Sequence, residues 1–92
     1  MNRYYTYVLL SKKDSKLYIG YTNDIKRRLS QHAGGEVPST KNRRPLTLVH
    51  YEYFIDEIDA KAREKYLKSG YGHEQLGSIL KNSFEKLSYK FR

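Results

Sequence analysis

The chain contains no cysteine and no tryptophan, has only two prolines, and sets ten acidic side chains against eighteen lysines and arginines. Without cysteine there can be no disulfide framework, no thiolate zinc site and no cysteine nucleophile, so any metal has to be held by oxygen or imidazole. No apolar run is long enough to span a bilayer, and no segment joins a long apolar face to a basic one. Nucleic acid is therefore preferred to a membrane as partner. The opening Met1-Asn2-Arg3-Tyr4 lacks the apolar stretch of a signal peptide, so a cytoplasmic location is expected. The scarcity of acids leaves a net charge of +8. A polyanion is the first partner that this charge suggests, with a merely soluble basic protein as the alternative.

What is present is one domain's worth of chain, 92 residues with 38% hydrophobic side chains, enough for a modest core. With ten tyrosines and three phenylalanines, the aromatic part of that core is mostly phenolic. Each buried hydroxyl then needs a hydrogen-bond partner or a route to solvent.

Tyr4 to Leu10 and Leu17 to Thr22 are β-prone and are separated by the polar Ser11-Lys12-Lys13-Asp14-Ser15, which predicts a hairpin. Thr22-Asn23-Asp24 offers helix caps, and Ile25, Arg28, Leu29 and His32 recur at helical spacing before Gly34-Gly35. Arg28 and His32 thus share a face with apolar anchors, which is unusual for a purely structural helix. Glu36 to Pro45 reads as a polar loop, and its Lys41, Arg43 and Arg44 form a candidate phosphate-contacting arm or an incidentally charged solvated loop. Leu46 to Phe54 is the third strand. Asp56 caps a helix to Ser69 that ends at Gly70, with Ile58, Ala62 and Leu67 inward. A weaker helix spans Glu74 to Phe84 on Leu76, Ile79 and Leu80, interrupted in propensity by Gly77. A domain over 1–84 with a frayed basic tail at 85–92 is the expected organisation.

The most informative stretch is Tyr18-Ile19-Gly20 followed by Arg28 and His32 one helical turn apart, with Tyr5-Thr6-Tyr7 upstream and Glu64 downstream. The order Tyr7, Tyr18-Ile19-Gly20, Arg28, His32 and Glu64 resembles the GIY-YIG endonuclease superfamily, in its small stand-alone branch. Asn42 to Val49 and Ala62-Arg63-Glu64-Lys65 carry the same likeness. Tyr5-Thr6-Tyr7 stands where the family has Gly-Ile-Tyr, keeping only the final tyrosine. Lys68 to His73 lacks the tryptophan common in stand-alone members, and Asn82 lies farther beyond Glu64 than the family's supporting asparagine.

The resemblance implies an α+β fold, an α/β sandwich with a three-stranded antiparallel sheet and about three helices in the order β-β-α-β-α-α. It also implies Mg²⁺-dependent hydrolysis of DNA phosphodiesters, with Mn²⁺ as a possible substitute ion; the sequence does not separate DNA from RNA as the partner. Glu64 is the implied metal ligand, since a hard cation prefers carboxylate oxygen and keeps several waters. Its alternative is a helical ion pair with Lys68 at i+4. Arg28 would grip the scissile phosphate with a planar, permanently charged fork. Tyr7 and Tyr18 would line the site, and either one could orient or deprotonate water. His32 would orient a tyrosine or contact phosphate.

Gly20 is expected to allow close approach of backbone or substrate, and Lys26 and Arg27 to add positive charge for nucleic acid. Tyr4, Tyr5, Tyr51 and Tyr53 are read as ordinary strand packing. Three functions compete: a structure-selective or weakly sequence-selective endonuclease with a repair or recombination role, a catalytically weak binding module, and a basic protein-interaction domain. A protein partner supplying specificity is a further expectation. Cutting both strands of a duplex would require dimerisation or sequential nicking.

Overall fold

A computed structural model describes residues 3–90. The hairpin forms as expected, with β1 (Tyr4–Ser11) and β2 (Leu17–Thr22) antiparallel and Tyr7 directly opposite Gly20. Strand β3 (Leu46–Phe54) pairs antiparallel on the other side of β1, so the sheet order is β2-β1-β3 and β1 is buried at the centre. A register shift at Val8/Leu9 interrupts the β1–β3 ladder.

Strand alternation sends Val8 and Ile19 to one face, where they join Leu67, Leu76, Leu80 and Phe84 in the main core. That face is covered by α3 (Glu57–Lys68), α4 (Gly70–Ile79) and α5 (Lys81–Lys86). The opposite face receives α1 (Ile25–Ala33) and the short α2 (Pro38–Lys41), which cover Tyr7 and Tyr18. The expected three-stranded α+β sandwich is present, with five helices among the described residues in place of about three.

The differences have local causes. Glu36 to Pro45 is not wholly loop: Pro38 sits at the first position of α2, where its missing N–H is no loss. Asp56 caps α3 as expected, accepting from Ile58 N at 2.8 Å. Ser69 rather than Gly70 separates it from the next helix, ending α3 in extended geometry and capping α4 through its hydroxyl. Ile58 and Ala62 are exposed, and the inward stripe is Ala60 and Leu67. Thr6 Oγ1 donates to Ala60 O at 2.6 Å, docking α3 on its small-residue side.

The helix expected over Glu74–Phe84 breaks at Leu80 into α4 and α5. Leu76 and Leu80 are buried, but Ile79 is 49% exposed. The chain does not fray at residue 85: α5 continues to Lys86 and Tyr89 packs edge-on against Phe84. Residues 91 and 92 of the expected tail lie outside the described residues, as do Met1 and Asn2. Among the described residues no helix is long and apolar enough to cross a membrane.

Gly72 marks the closest helix contact. A Cβ there would run into Tyr66 O and Leu67 Cα, both backbone atoms that cannot swing aside. Gly72→Ala is expected to separate α4 from α3 and lower stability by about 1–3 kcal/mol, the usual range for overpacking, read from a chemical unfolding curve. An unchanged midpoint would show that the two helices slide without cost.

Candidate active site

Tyr7 is fully buried, and the end of its ring lies over Gly20 on the edge strand β2. A Cβ on residue 20 would fall inside the contact radii of Tyr7 Cζ and Oη. Gly20 thus serves the approach of a side chain of its own fold, rather than the backbone or substrate approach expected from sequence.

The Tyr7 hydroxyl meets His32 Nε2 at 2.7 Å, and His32 Nδ1 meets Thr40 Oγ1 at 2.7 Å. All three side chains are buried, forming a chain of hydrogen bonds from β1 through α1 to α2. Tyr18 closes this cluster with its ring 5.3 Å from His32 and 6.4 Å from Tyr7. Its hydroxyl accepts from Ser39 Oγ at 3.5 Å.

Burial dominates the electrostatics. It holds the Tyr7 phenol above its ordinary value near 10, while the neighbouring Arg28 guanidinium pulls the other way. His32 is held below its ordinary value, first by burial and then by the Arg28 charge, so the neutral imidazole is favoured. A neutral imidazole presents one donor and one acceptor. Thr40 can take whichever role Tyr7 leaves, allowing a proton to shift along the chain without charging a buried ring.

An imidazole held neutral stabilises the fold at high pH. The unfolded chain takes up the proton first, so stability falls as pH drops through the unfolded value near 6.5 and levels off below the folded value. The thermal midpoint is expected to decline between about pH 7.5 and 5.5, and His32→Gln should flatten that decline. Equal slopes in the two proteins would place the titration elsewhere.

Arg28 is presented by α1, whose start is set by Asp24 accepting from Arg27 N at 3.1 Å. It donates through Nη1 to Gln31 at 3.2 Å and lies close enough to the Tyr7 hydroxyl to lower that phenol's pKa through a side-chain hydrogen bond, but its buried Nε has no well-aligned partner among the described residues. A buried N–H without an acceptor is costly, and in native proteins such groups are few. Arg28 also lines an open surface cleft of about 350 Å³ with Arg27, Tyr21 and Asn23.

Glu64 lies on the inward side of α3 between Ala60 and Leu67, half-buried. Its charge reaches the site, contributing to the upward pull on Tyr7 and on Tyr21. Its Oε2 is 3.0 Å from Lys68 Nζ, the i+4 pair that the sequence also allowed. No group of three or more His, Cys, Asp or Glu side chains converges among the described residues. One carboxylate with water is a donor set in which Mg²⁺ can be held, and Lys68 competes for that carboxylate.

The structure therefore brings together Tyr7, Tyr18, Arg28 and His32, while Glu64, on α3, is linked to them only through its charge on Tyr7, and the two arginines of the candidate arm are engaged elsewhere. Arg43 is engaged by Asp14 at 2.6 Å and by the carbonyls of Lys16 and Leu17, holding Asp14 at a pKa of about 2. Arg44 donates to Lys41 O and Ala33 O at 3.0 and 3.3 Å, tying the end of α1 to α2. These two arginines pin the segment that carries Thr40 beneath His32, and Arg44 stays exposed beside Lys41. Lys41, Lys26 and Arg27 remain exposed. Asn82 is on the exposed side of α5, within a helix that packs on α4.

Thr40 and Tyr21 were not legible as site residues. Tyr21 donates to Glu57 at 2.5 Å and lies under Lys61 at 5.3 Å; burial first, and then the Glu57 carboxylate, push its pKa up to about 12. Pro38 after Val37 was the available signal for a helix that would bury Thr40. Nothing local marks Tyr21.

Comparison with known proteins gives the same direction. A UPF0213 protein of Clostridium perfringens is 33% identical over 87 residues, covering 94% of this chain and 92% of that one. The UPF0213 protein YsiG of Lactococcus lactis is 37% identical, covering 94% and 83%. The solution NMR structure of a UPF0213 protein from Bacillus halodurans matches at a TM-score of 0.54 with 36% identity, covering 84% of each chain. The family model described as the GIY-YIG catalytic domain matches residues 3–76, a span that includes Tyr7, Tyr18, Arg28, His32 and Glu64 but ends before α5. With a family-model match over most of its length and the phenols, guanidinium and imidazole clustered beside β2, the chain belongs to the GIY-YIG family of nuclease domains.

Proposed function

We propose that this protein is a metal-dependent endonuclease that hydrolyses DNA phosphodiester bonds with structural or weak sequence selectivity, acting in the cytoplasm. The observation that carries this reading is the buried, unpartnered Nε of Arg28 beside the Tyr7–His32–Thr40 chain. A phosphate oxygen supplies the acceptor that the protein does not, and the fork of the guanidinium matches it.

Hydrolysis requires a water oxygen to attack phosphorus while the P–O bond to the leaving oxygen breaks, and charge gathers on the equatorial oxygens. Arg28 offsets that charge. Tyr7 or Tyr18 holds the water, and the proton moves towards the His32–Thr40 pair. Free Tyr7 is a poor base because burial raises its pKa, so deprotonation depends on positive charge nearby. Glu64 would hold Mg²⁺ or Mn²⁺, which when bound supplies Lewis acidity and stabilises the departing oxygen. Phosphate recognition by a basic surface explains weak sequence selectivity, since phosphate contacts do not read bases. A repair or recombination role and a specificity-giving partner remain part of this proposal.

The test is nicking of supercoiled plasmid and cleavage of a labelled branched DNA in Mg²⁺, in EDTA, and with Glu64→Ala. Activity confined to intact protein with metal supports the proposal. Binding without any cutting in Mg²⁺ or Mn²⁺ would leave a nucleic-acid-binding module, a reading that the Glu64–Lys68 pair itself favours. Because Lys68 competes for that carboxylate, Lys68→Met is expected to lower the half-saturating Mg²⁺ concentration by about twofold, the scale of an exposed i,i+4 pair. A higher requirement would mean that Lys68 assists instead of competing.

A further inference from the structure

Three tyrosines on the sheet face shared with Tyr7 do not pack as ordinary strand residues. Tyr51 stands directly opposite Tyr7 on β3, and Tyr53 opposite Tyr5 on β1. The Tyr5 ring centroid lies 6.1 Å from that of Tyr51 and 5.7 Å from that of Tyr53, both tilted. Tyr51 and Tyr53 are 53% and 49% exposed. Tyr7 leans the other way over Gly20, so the phenols of the proposed site and the open tyrosines lie on one face about two strand spacings apart, roughly 10 Å.

The charge around this patch is selective. The one carboxylate between Tyr51 and Tyr53 in sequence, Glu52, points to the opposite face, where Arg63 pairs with it and His50 Nε2 lies within hydrogen-bond distance, each at 3.0 Å. No acid interrupts the tyrosine surface along β3. At the start of the same strand, Lys13, Lys41 and Arg44 line a basic cleft. Strand β3 therefore runs from positive charge to open aromatic rings beside the proposed catalytic edge.

We infer that Tyr5, Tyr51 and Tyr53 form a stacking platform for the bases of an unpaired nucleic-acid strand, making single-stranded or locally opened DNA the preferred substrate class. This rests on the nucleic-acid reading of the adjacent site. Every base has a flat π-face that a phenol can meet, but in a duplex those faces are covered by neighbouring pairs. Cations along the strand follow the phosphates, and the rings hold the bases. A second protein copy or an apolar protein partner is less suited, since the net charge of +8 opposes self-association and favours a polyanion.

Fluorescence anisotropy of the full chain in EDTA, with labelled oligothymidine and with the same strand in a duplex, tests this without cleavage. Tighter binding of the single strand is expected. Tyr51→Ala and Tyr53→Ala should each weaken it by about tenfold, the worth of one stacked base, and change duplex binding by no more than about twofold. Tyr51→Phe should retain affinity because the ring is kept, and its thermal midpoint beside that of Tyr51→Ala separates stacking from misfolding. Equal weakening on both DNAs, no effect, or no single-strand binding would overturn the platform. A change of oligomeric state in the alanine variants with unaltered oligothymidine affinity would assign the patch to a second copy and also overturn it. If stacking holds while metal-supported cleavage is absent, the platform stands and the nuclease proposal falls.

Discussion

Arg28→Ala is expected to reduce plasmid nicking by about a hundred- to a thousandfold, the effect of removing one donor to a developing oxyanion, while leaving the fold as stable as before or more so. The two halves of this expectation come from one atom. Arg28 Nε is buried and lacks an acceptor among the described residues, and an orphaned buried donor costs about 1–3 kcal/mol. Removing it relieves that cost, along with the charge that disfavours protonation of His32. Loss of rate with a retained or higher thermal midpoint would mark a side chain kept for function at the expense of stability. Arg28→Lys should recover only part of the rate, because the ammonium keeps the charge but not the planar fork. If rate and midpoint fall together, Arg28 is a structural residue and the phosphate assignment is wrong.

Gly20→Ala should act through Tyr7. The added methyl meets Tyr7 Cζ and Oη, atoms of a rigid and fully buried ring that has no flexible end to move. Either the ring leaves His32 or β2 separates locally from β1. Both outcomes break the Tyr7–His32–Thr40 chain. A stability loss of about 1–3 kcal/mol is expected, with the thermal midpoint down by about 4–8 °C for each kcal/mol in a domain of this size. Cleavage should fall at least as far as in Tyr7→Phe, which removes the hydroxyl without displacing the ring. A Gly20→Ala protein that cuts normally while Tyr7→Phe does not would show that the ring moves without losing its hydroxyl contact. That would remove Gly20 from the site.

The strands and the first helix were legible because their signals are local. Alternation in Tyr4–Ser11 and Leu17–Thr22, the cap at Asp24 and the cap at Asp56 each operate within a few residues. The helical spacing of Arg28 and His32 was sufficient to put them on one face, and the structure keeps them there beside Tyr7. The inward side of α3 was misread because Ile58 and Ala62 are the apolar choices on paper. The helix instead docks through Ala60, whose carbonyl takes a hydrogen bond from Thr6, fifty-four residues away. The engagement of Arg43 and Arg44 was not legible for a similar reason: a charge run looks solvated until the acceptors that engage it are known, and those belong to Asp14, Lys16, Lys41 and Ala33.

By itself, the sequence determined the α+β class, the order of strands and helices to within the short α2 and the break at Leu80, the positive charge, and the set of phenol, guanidinium, imidazole and carboxylate groups. The element order and the charge follow from periodicity, caps and composition, which need no partner elsewhere in the chain, while the fold class and the set of site groups came from the resemblance to the GIY-YIG family. Tertiary structure alone decided that Thr40 completes a buried hydrogen-bond chain and that Gly20 makes room for Tyr7. It also left Tyr51 and Tyr53 open to solvent on the face shared with Tyr7. Each of these depends on which surfaces meet across the sheet, and burial, desolvation and steric fit arise only once distant segments are packed together.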